Sequence, residues 1–191
     1  MVLLPLHWPA TIQHMRVVTA CLLVFGAGCS ALDEFEEVFQ DELVIPAAVS
    51  PSAPFSAGYG GSLSALDLST SRGFLDAGVS PSDVDSIRIV DGLLAIDLGD
   101  PRLNDLSLYV ESFALFVESN TQPRANLATV TDLPMADQVV LPVSESPELK
   151  PYATDSGMRF GADLVLRQRP PLNVRLTTTL TVRVDINLLG S

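Results

Sequence analysis

Residues 172–188, with the sequence LNVRLTTTLTVRVDINL, decide the fold because polar and apolar side chains alternate along almost all of them. Alternation with a period of two is typical of a β-strand that turns one face to a core and the other to solvent. It predicts an antiparallel sheet that covers a core on one side. Because seventeen residues exceed the usual strand length, we expect a bend or a bulge. The positions predicted to face inward are Leu172, Val174, Leu176, Thr178, Leu180, Val182, Val184, Ile186 and Leu188.

The preceding segment, residues 158–166, alternates in the same way, and Arg169-Pro170-Pro171 predicts a turn between the two. If these strands pair as a hairpin, their arginines form a basic stripe on one sheet. Guanidinium groups match phosphate and carboxylate geometry, so the stripe is a candidate site for envelope phosphate groups, a polysaccharide or an acidic protein. Alternatively, acids on neighbouring strands or in residues 33–42 neutralise it. The four arginines are Arg159, Arg167, Arg175 and Arg183.

Two β-prone segments, residues 87–90 and 93–98, flank the dipeptide Asp91-Gly92. An Asp-Gly pair suits the type I′ turn of a tight hairpin, so we expect a hairpin here. With the other candidate strands, the sequence predicts a mainly β fold, an antiparallel β-sandwich with two or three short helices. The remaining strands are expected at 44–49, 113–117, 124–130 and 139–143, a loop at 50–62, and helical turns at 73–78, 105–111 and 148–152.

Residues 30–42, SALDEFEEVFQDE, place apolar side chains at helical spacing with acidic residues between them. The pattern predicts a short amphipathic helix that packs on the domain. Its apolar positions are Leu32, Phe35, Val38 and Phe39.

The N-terminal region has the layout of an export signal. Met15 and Arg16 precede an apolar run of nine residues, 17–25, which is too short to span a membrane because a spanning helix needs about 20. Three small residues and Cys29 follow this run. We expect translation to begin at Met15, with residues 1–14 outside the protein.

The tripeptide Ala27-Gly28-Cys29 resembles the lipobox of bacterial lipoproteins, with Gly26 where leucine is usual. The resemblance covers about fifteen residues and implies a diacylglycerol on the Cys29 thiol, cleavage before Cys29 and fatty acylation of the new amine. Ser30 at the next position implies sorting to the outer membrane. The alternative is ordinary secretion with cleavage after Ala31. The expected organisation is therefore a leader at 1–28, an acidic lipid-anchored segment at 29–42 and a β-sandwich domain at 43–191.

Composition excludes several classes of function for residues 29–191. They contain no His and no Trp, and Cys29 carries their only thiol, so imidazole-based nucleophile systems and His/Cys zinc sites are excluded. No disulfide can form within this part of the chain, and no cofactor is predicted. Its net charge of −13 disfavours binding to nucleic acid or to anionic lipid.

Carboxylates provide the remaining candidate sites. Acidic loops can bind calcium, although the spacing here matches no EF-hand loop; the alternative is that these aspartates form turns and helix caps. Glu111 and Glu118 are a candidate acid and base for glycoside hydrolysis. Tyr59 is either an exposed aromatic for ligand stacking or a buried loop anchor. The weak candidate metal ligands are Asp83, Asp85, Asp91 and Asp97.

These observations favour a non-enzymatic, lipid-anchored protein of the cell envelope with a structural or binding role and an envelope protein or glycan as its partner. A calcium-dependent binding module is the alternative. A carboxylate-based hydrolase is the third hypothesis.

The alternation predicts opposite effects for two adjacent substitutions. Val182→Asp places an unpaired carboxylate in the core and should lower the free energy of unfolding by about 4 kcal/mol or more. Thr181→Asp, on the solvent face, should change it by less than about 1 kcal/mol. Urea denaturation of both variants measures the difference, and equal effects would show that the register is wrong.

Overall fold

The computed structural model describes residues 34–47 and 54–186, so the leader, Cys29 and Leu188 lie outside the described residues. None of the described helices is long and apolar enough to cross a membrane. Besides a 3-10 turn at Leu68–Thr70, the helices are α1 Arg72–Ala77, α2 Leu106–Tyr109 and α3 Lys150–Ala153. The strands are β1 Glu34–Ile45, β2 Phe55–Gly58, β3 Ser86–Asp97, β4 Val110–Glu118, β5 Ala125–Thr131, β6 Gln138–Val140, β7 Arg159–Leu166 and β8 Val174–Asp185.

The strands form two four-stranded sheets, one in the order β1-β8-β3-β6 and the other in the order β2-β7-β4-β5. Every pairing is antiparallel. The buried apolar side chains of both sheets form one core cluster. This is the eight-stranded, two-sheet arrangement of a jelly roll. The prediction of an antiparallel β-sandwich with short helices is confirmed.

Strand β8 lies inside its sheet and pairs with β1 along twelve positions and with β3 along eleven. From Val174 to Ile186 its predicted inward side chains are buried, Thr178 among them. Leu172 is the exception at 56% exposure, because the strand begins only at Val174, after the two prolines. The bulge expected within residues 172–188 is not found in β8, which is twelve residues long and keeps a continuous register with β1. A β-bulge lies instead in the neighbouring strand β3, between Ile89 and Asp91.

The hairpin predicted at Asp91-Gly92 is wrong, because β3 runs through these two residues without a turn. A type I′ turn needs a positive φ at both central positions, and neither residue has one. The β-bulge at this point shifts the alternation by one residue, which looks in sequence like two short strands. A Cβ atom at position 92 would lie 3.1 Å from side-chain atoms of Leu141 and Val143, so a larger residue would crowd these side chains.

The helix predicted for residues 30–42 is also wrong over the described part, since residues 34–42 belong to strand β1. The same strand continues through residues 43–45, so it crosses the expected boundary between the acidic segment and the sandwich. The odd-numbered residues of β1 face inward, where two acids stand between apolar residues. The Asp41 carboxylate accepts hydrogen bonds from the backbone amides of Gly61 and Leu63 at 3.0 and 2.8 Å. Glu37 accepts from Ser71 and from the amide of Arg72, at the start of α1.

The other elements match their predictions in position, with differences at their ends. The helical turns α1, α2 and α3 fall in the expected segments, and Asp105 caps α2 through the Ser107 amide at 2.9 Å. Strand β1 is an edge strand that ends at Ile45, so only residues 44 and 45 of the strand predicted at 44–49 belong to it. The loop predicted at 50–62 contains the short strand β2.

The core contains one buried polar pair that connects the loop after β2 to the centre of β8. The Tyr59 hydroxyl lies 2.6 Å from the Thr178 hydroxyl, and both residues are buried. Burial raises the pKa of Tyr59 above its ordinary value, which keeps the phenol protonated. Tyr59 is therefore a buried loop anchor, and Thr178 is the one polar inward position of β8 because it satisfies this hydroxyl.

The hydrogen bond between Tyr59 and Thr178 predicts that substitutions of the two residues have non-additive effects on the free energy of unfolding. Tyr59→Phe or Thr178→Val alone leaves a buried hydroxyl without its partner and should cost about 1–3 kcal/mol of unfolding free energy. The double variant should cost clearly less than the sum, because both polar groups are gone. Urea denaturation measures the cycle. Tyr152→Phe with Thr178→Val is the control pair and should be additive; additivity of the first pair would contradict the hydrogen bond.

Candidate functional site

The predicted basic stripe does not form. Strand β7, with Arg159, lies in the sheet β2-β7-β4-β5, whereas β8, with Arg175 and Arg183, lies in the opposite sheet. The two strands are consecutive but do not pair, because residues 167–173 cross from one sheet to the other. Two strands of identical alternation can belong to one sheet or to two facing sheets, and the arginines were placed on one sheet wrongly.

Acids on neighbouring strands partner three of the four arginines. Arg183 contacts Glu36 at 2.7 Å and Glu34 at 3.9 Å on β1, and these contacts raise its pKa, with the Glu36 hydrogen bond as the main cause. Arg175 lies 3.6 Å from Glu42. Glu34, Glu36 and Glu42 therefore neutralise the arginines of β8 as the second alternative predicted, but they do so from a strand.

The other two arginines lie at opposite ends of β7. Arg159 pairs with Glu118 of β4 at 2.9 Å. Arg167 follows the last residue of β7, where its backbone amide donates to the Tyr109 carbonyl at 2.9 Å and its side chain is exposed. The four arginines therefore do not form one basic surface, and three of them are paired with acidic residues.

The four aspartates considered as calcium ligands form no metal site, because the described residues contain no cluster of three or more His, Cys, Asp or Glu that could hold a metal. Asp85 lies just before β3, where its backbone amide donates to the Asp185 carbonyl at 2.8 Å. Asp83 closes a turn by accepting from the Ser80 amide and hydroxyl at 3.0 and 2.6 Å, and these hydrogen bonds lower its pKa. Asp91 and Asp97 accept from Gly92 and Gly99 amides. They are six residues apart on β3, which corresponds to about 20 Å.

The proposed acid–base pair is excluded by distance. Glu111 and Glu118 lie on the same strand β4, seven residues apart, which separates them by roughly 23 Å. Glycosidase carboxylates lie about 5–9.5 Å apart. The hydrolase hypothesis based on these two residues is therefore wrong.

A cluster on the outer face of the second sheet, around Asp163 of β7, was not predicted from sequence. Its carboxylate pairs with Arg124 and accepts from the Ser56 hydroxyl at 2.5 Å. Burial by itself would raise the pKa of Asp163, but the hydrogen bonds from Arg124 and Ser56 and the Arg124 charge lower it below its ordinary value. The guanidinium of Arg124 also stacks 3.5 Å above the Phe116 ring, which covers Gly161.

This cluster connects three strands and the segment before a fourth, and each of its polar groups is used in a contact within the chain. The adjoining surface depression, of about 180 Å³, is lined by Pro54, Phe55, Ser56 and Asp163. Only the strand order brings these residues together, so sequence reasoning had no means of finding them.

A second carboxylate cluster fixes the loop after β4 to the loop after α3. Asp155 accepts from the Ser119 hydroxyl at 2.6 Å and from the amide and hydroxyl of Thr121 at 2.7 and 2.8 Å. These bonds, that of Ser119 first, lower the pKa of Asp155 from 3.8 to about 2. The ionised form of Asp155 therefore stabilises the folded chain.

The larger depressions in the described surface are shallow and solvent-open. One, of about 500 Å³, lies at the end of the first sheet beside Asp97, Leu172 and Arg175. Another, of about 460 Å³, lies between residues 65–67 and 153–158. Neither brings together an acid, a base and a nucleophile in reach of one another.

No protein-family model matches the chain, and the comparison with curated proteins found no match. Among solved structures, the chain is similar to one of turnip yellow mosaic virus at 12% identity and a TM-score of 0.32, over 83% of this chain and 96% of that chain. It is similar to one of cocksfoot mottle virus at 10% identity and a TM-score of 0.32, over 98% and 97%. Similarity of this degree says nothing about what the chain does.

The Asp155 contacts predict a pH dependence. A carboxyl whose pKa is lower in the folded than in the unfolded state contributes stability above the unfolded value, here 3.8, and loses it as the pH falls towards 2. Asp155→Asn should therefore be less stable than the unsubstituted chain at pH 6, and the difference should narrow below pH 4 and be mostly lost near pH 2. Thermal melting from pH 2 to 6 measures it.

Glu111→Gln is the matched control for this test, because it removes one exposed carboxylate for which the described residues provide no side-chain hydrogen bond. Its free energy of unfolding at pH 6 should stay close to that of the unsubstituted chain. A difference for Asp155→Asn that stays constant from pH 6 to pH 2 would contradict the role of the ionised carboxylate.

Proposed function

We propose that the chain is a lipid-anchored protein of the bacterial cell envelope, held in the outer membrane through Cys29, whose β-sandwich has a structural or binding role and no catalytic one. The observation that carries this proposal is the export signal that ends in Ala27-Gly28-Cys29. The alternative is that the protein is secreted, or lies in the periplasm, without a lipid anchor.

The position of Cys29 relative to the fold supports the anchoring. Cys29 precedes the first residue of β1, Glu34, by five residues. A link of five residues reaches at most about 17 Å, so the lipid would hold the sandwich close to the bilayer. The end of the sandwich at which β1 starts, beside Ser86 and Asp185, is then the end nearest to the membrane.

The chemistry of the surface supports a binding or structural role. Residues 30–191 contain no His, Cys or Trp, and the carboxylates with the densest contacts, Asp41, Asp155 and Asp163, fix loops and strands to one another. Such contacts favour a rigid sandwich. An envelope protein or a glycan remains the proposed partner.

The anchoring is tested by Cys29→Ser in the full chain, expressed in a bacterial host. The variant should move from the membrane fraction to the soluble fraction, or remain as an unprocessed precursor, because serine has no thiol for the diacylglycerol. Radiolabelled palmitate should enter the unsubstituted chain and be absent from the variant.

Cys21→Ser is the matched control, because Cys21 lies within the apolar run of the export signal. This variant should fractionate with the membrane and incorporate palmitate like the unsubstituted chain. Membrane association and labelling of the Cys29→Ser variant at the level of the control would overturn the proposal.

A further inference from the structure

The depression of about 500 Å³ at the end of the first sheet lies where β3 ends and β8 begins, and we call it the end depression. Asp97 is the last residue of β3 and Arg175 is the second residue of β8, and the two are direct cross-strand neighbours. Both side chains are exposed and point away from the core. The end depression is therefore lined by an acid and a base that come from adjacent strands.

Asp97 and Arg175 carry opposite charges at paired positions, yet they form no ion pair with each other. Opposite charges at directly paired positions of an antiparallel sheet ordinarily attract each other. Here the Arg175 guanidinium lies 3.6 Å from the Glu42 carboxylate of β1. The Asp97 carboxylate instead accepts a hydrogen bond from the Gly99 amide at 2.7 Å. Two opposite charges thus line one solvent-open depression without neutralising each other.

Most of the hydrogen-bonding capacity of these groups is unused within the described residues. Arg175 has five N–H donors, and its 3.6 Å contact with Glu42 is longer than a hydrogen bond. One Asp97 oxygen accepts from a backbone amide, and the other has no partner among the described residues. The Asn173 side-chain oxygen accepts from the Ala47 amide at 3.1 Å, which leaves its NH₂ group as a donor. The end depression therefore offers donors on one strand and an acceptor on the next.

Contacts within the chain hold the segments that carry these groups. The Leu98 amide donates to the Asn104 side chain at 2.8 Å, directly after β3. The Asp97–Gly99 hydrogen bond closes a turn in which Gly99 has a φ of 82°, a conformation that favours glycine. The Asn173 contact joins the start of β8 to the segment after β1. Groups that are held in place before a ligand arrives lose less freedom on binding.

Leu172 adds an apolar surface beside the polar groups. The alternation in sequence predicted it to face inward, but it is 56% exposed and lines the end depression together with Pro171. The described residues that line the depression include no aromatic ring on which a sugar could stack. Its volume lies within the range of small-molecule sites, about 300–1,000 Å³. The lining thus combines both charges, an amide donor and an aliphatic surface.

We propose that the end depression binds the zwitterionic head group of an α-amino acid. The ligand's carboxylate accepts hydrogen bonds from the Arg175 guanidinium and the Asn173 side chain, and its ammonium group donates to Asp97. Its aliphatic part packs on Leu172. Hydrogen bonds between two charged groups are about twice as strong as neutral ones. A ligand with one charge leaves either Asp97 or Arg175 without a charged partner, so the pair selects for a zwitterion.

Such a head group has two sources in a bacterial envelope, namely free amino acids and the amino-acid ends of cell-wall peptides. Strand β8 extends for twelve residues, roughly 36 Å, from this depression to the end of the sandwich where β1 starts. A lipid on Cys29 would therefore leave the end depression facing away from the bilayer. The head-group site does not depend on the anchor; only the cell-wall source rests on the proposed envelope location.

The test is a titration of the isotope-labelled full chain carrying Cys29→Ser, followed through the chemical shifts of its backbone amides. Leucine, as the L or the D enantiomer, should shift the Gly99 and Asn173 amides with a dissociation constant of about 1 mM, as suits a small ligand on an open surface. N-acetylleucine lacks the ammonium group and leucinamide lacks the carboxylate. Each should bind at least about tenfold more weakly than leucine.

Two substitutions test the residues. Arg175→Gln and Asp97→Asn should each weaken leucine binding at least about tenfold, because each removes one charged partner of the head group. Arg183→Gln is the matched control, since it removes an outward arginine at the other end of β8, and it should bind leucine like the parent. The dispersion of the amide spectrum shows that each variant is folded.

A peptidoglycan fragment, the disaccharide tripeptide that ends in diaminopimelate, distinguishes the two sources. It should bind more tightly than leucine if the natural ligand is a cell-wall peptide, and no more tightly if it is a free amino acid. The proposal is overturned if neither enantiomer of leucine shifts these amides at about 10 mM. It is equally overturned if N-acetylleucine or leucinamide binds as well as leucine, or if Arg175→Gln binds leucine as well as Arg183→Gln.

Discussion

Strand β8 is hydrogen-bonded to a neighbour along both of its edges, and the other strands take their places from it. A buried strand must pair its backbone groups on both sides, so β1 and β3 both extend for twelve residues beside it. Both edges of β8 are therefore taken, and the preceding strand β7 lies in the facing sheet. The chain crosses from one sheet to the other through the segment that contains Pro170 and Pro171. The two sheets enclose one core, and the hydrogen bond between the Tyr59 and Thr178 hydroxyls is a buried polar contact within it.

The acidic residues of this chain mainly join loops and strands to one another through hydrogen bonds and ion pairs. Asp41 and Glu37 hold the segment before α1 against the edge strand, Asp155 joins two loops, and Asp163 joins strands on the outer face of the second sheet. These contacts help to hold together a chain of net charge −12 whose described residues contain no cysteine.

The alternation of β8 was predictable from sequence residue by residue, because one face of that strand meets the core without interruption. Strand β1 was missed because its inward positions Glu37 and Asp41 are acidic, and their partners are backbone amides some twenty to thirty-five residues away, which no local pattern reveals. The bulge in β3 was mistaken for a hairpin because a bulge and a hairpin turn both interrupt the alternation of inward and outward side chains. The arginine stripe and the Asp163 cluster depend on strand order, and alternation determines a residue's face without determining its neighbours.

The central position of β8 can be measured directly by amide hydrogen exchange of the full chain at residue resolution. The account predicts slow exchange for every amide from Leu176 to Val184, since both edges of β8 are paired. In β1 it predicts slow exchange at odd-numbered residues and fast exchange at Glu36 and Val38, whose amides face the free edge. Alternating protection within β8, or continuous protection through residues 34–42 as in a helix, would contradict it.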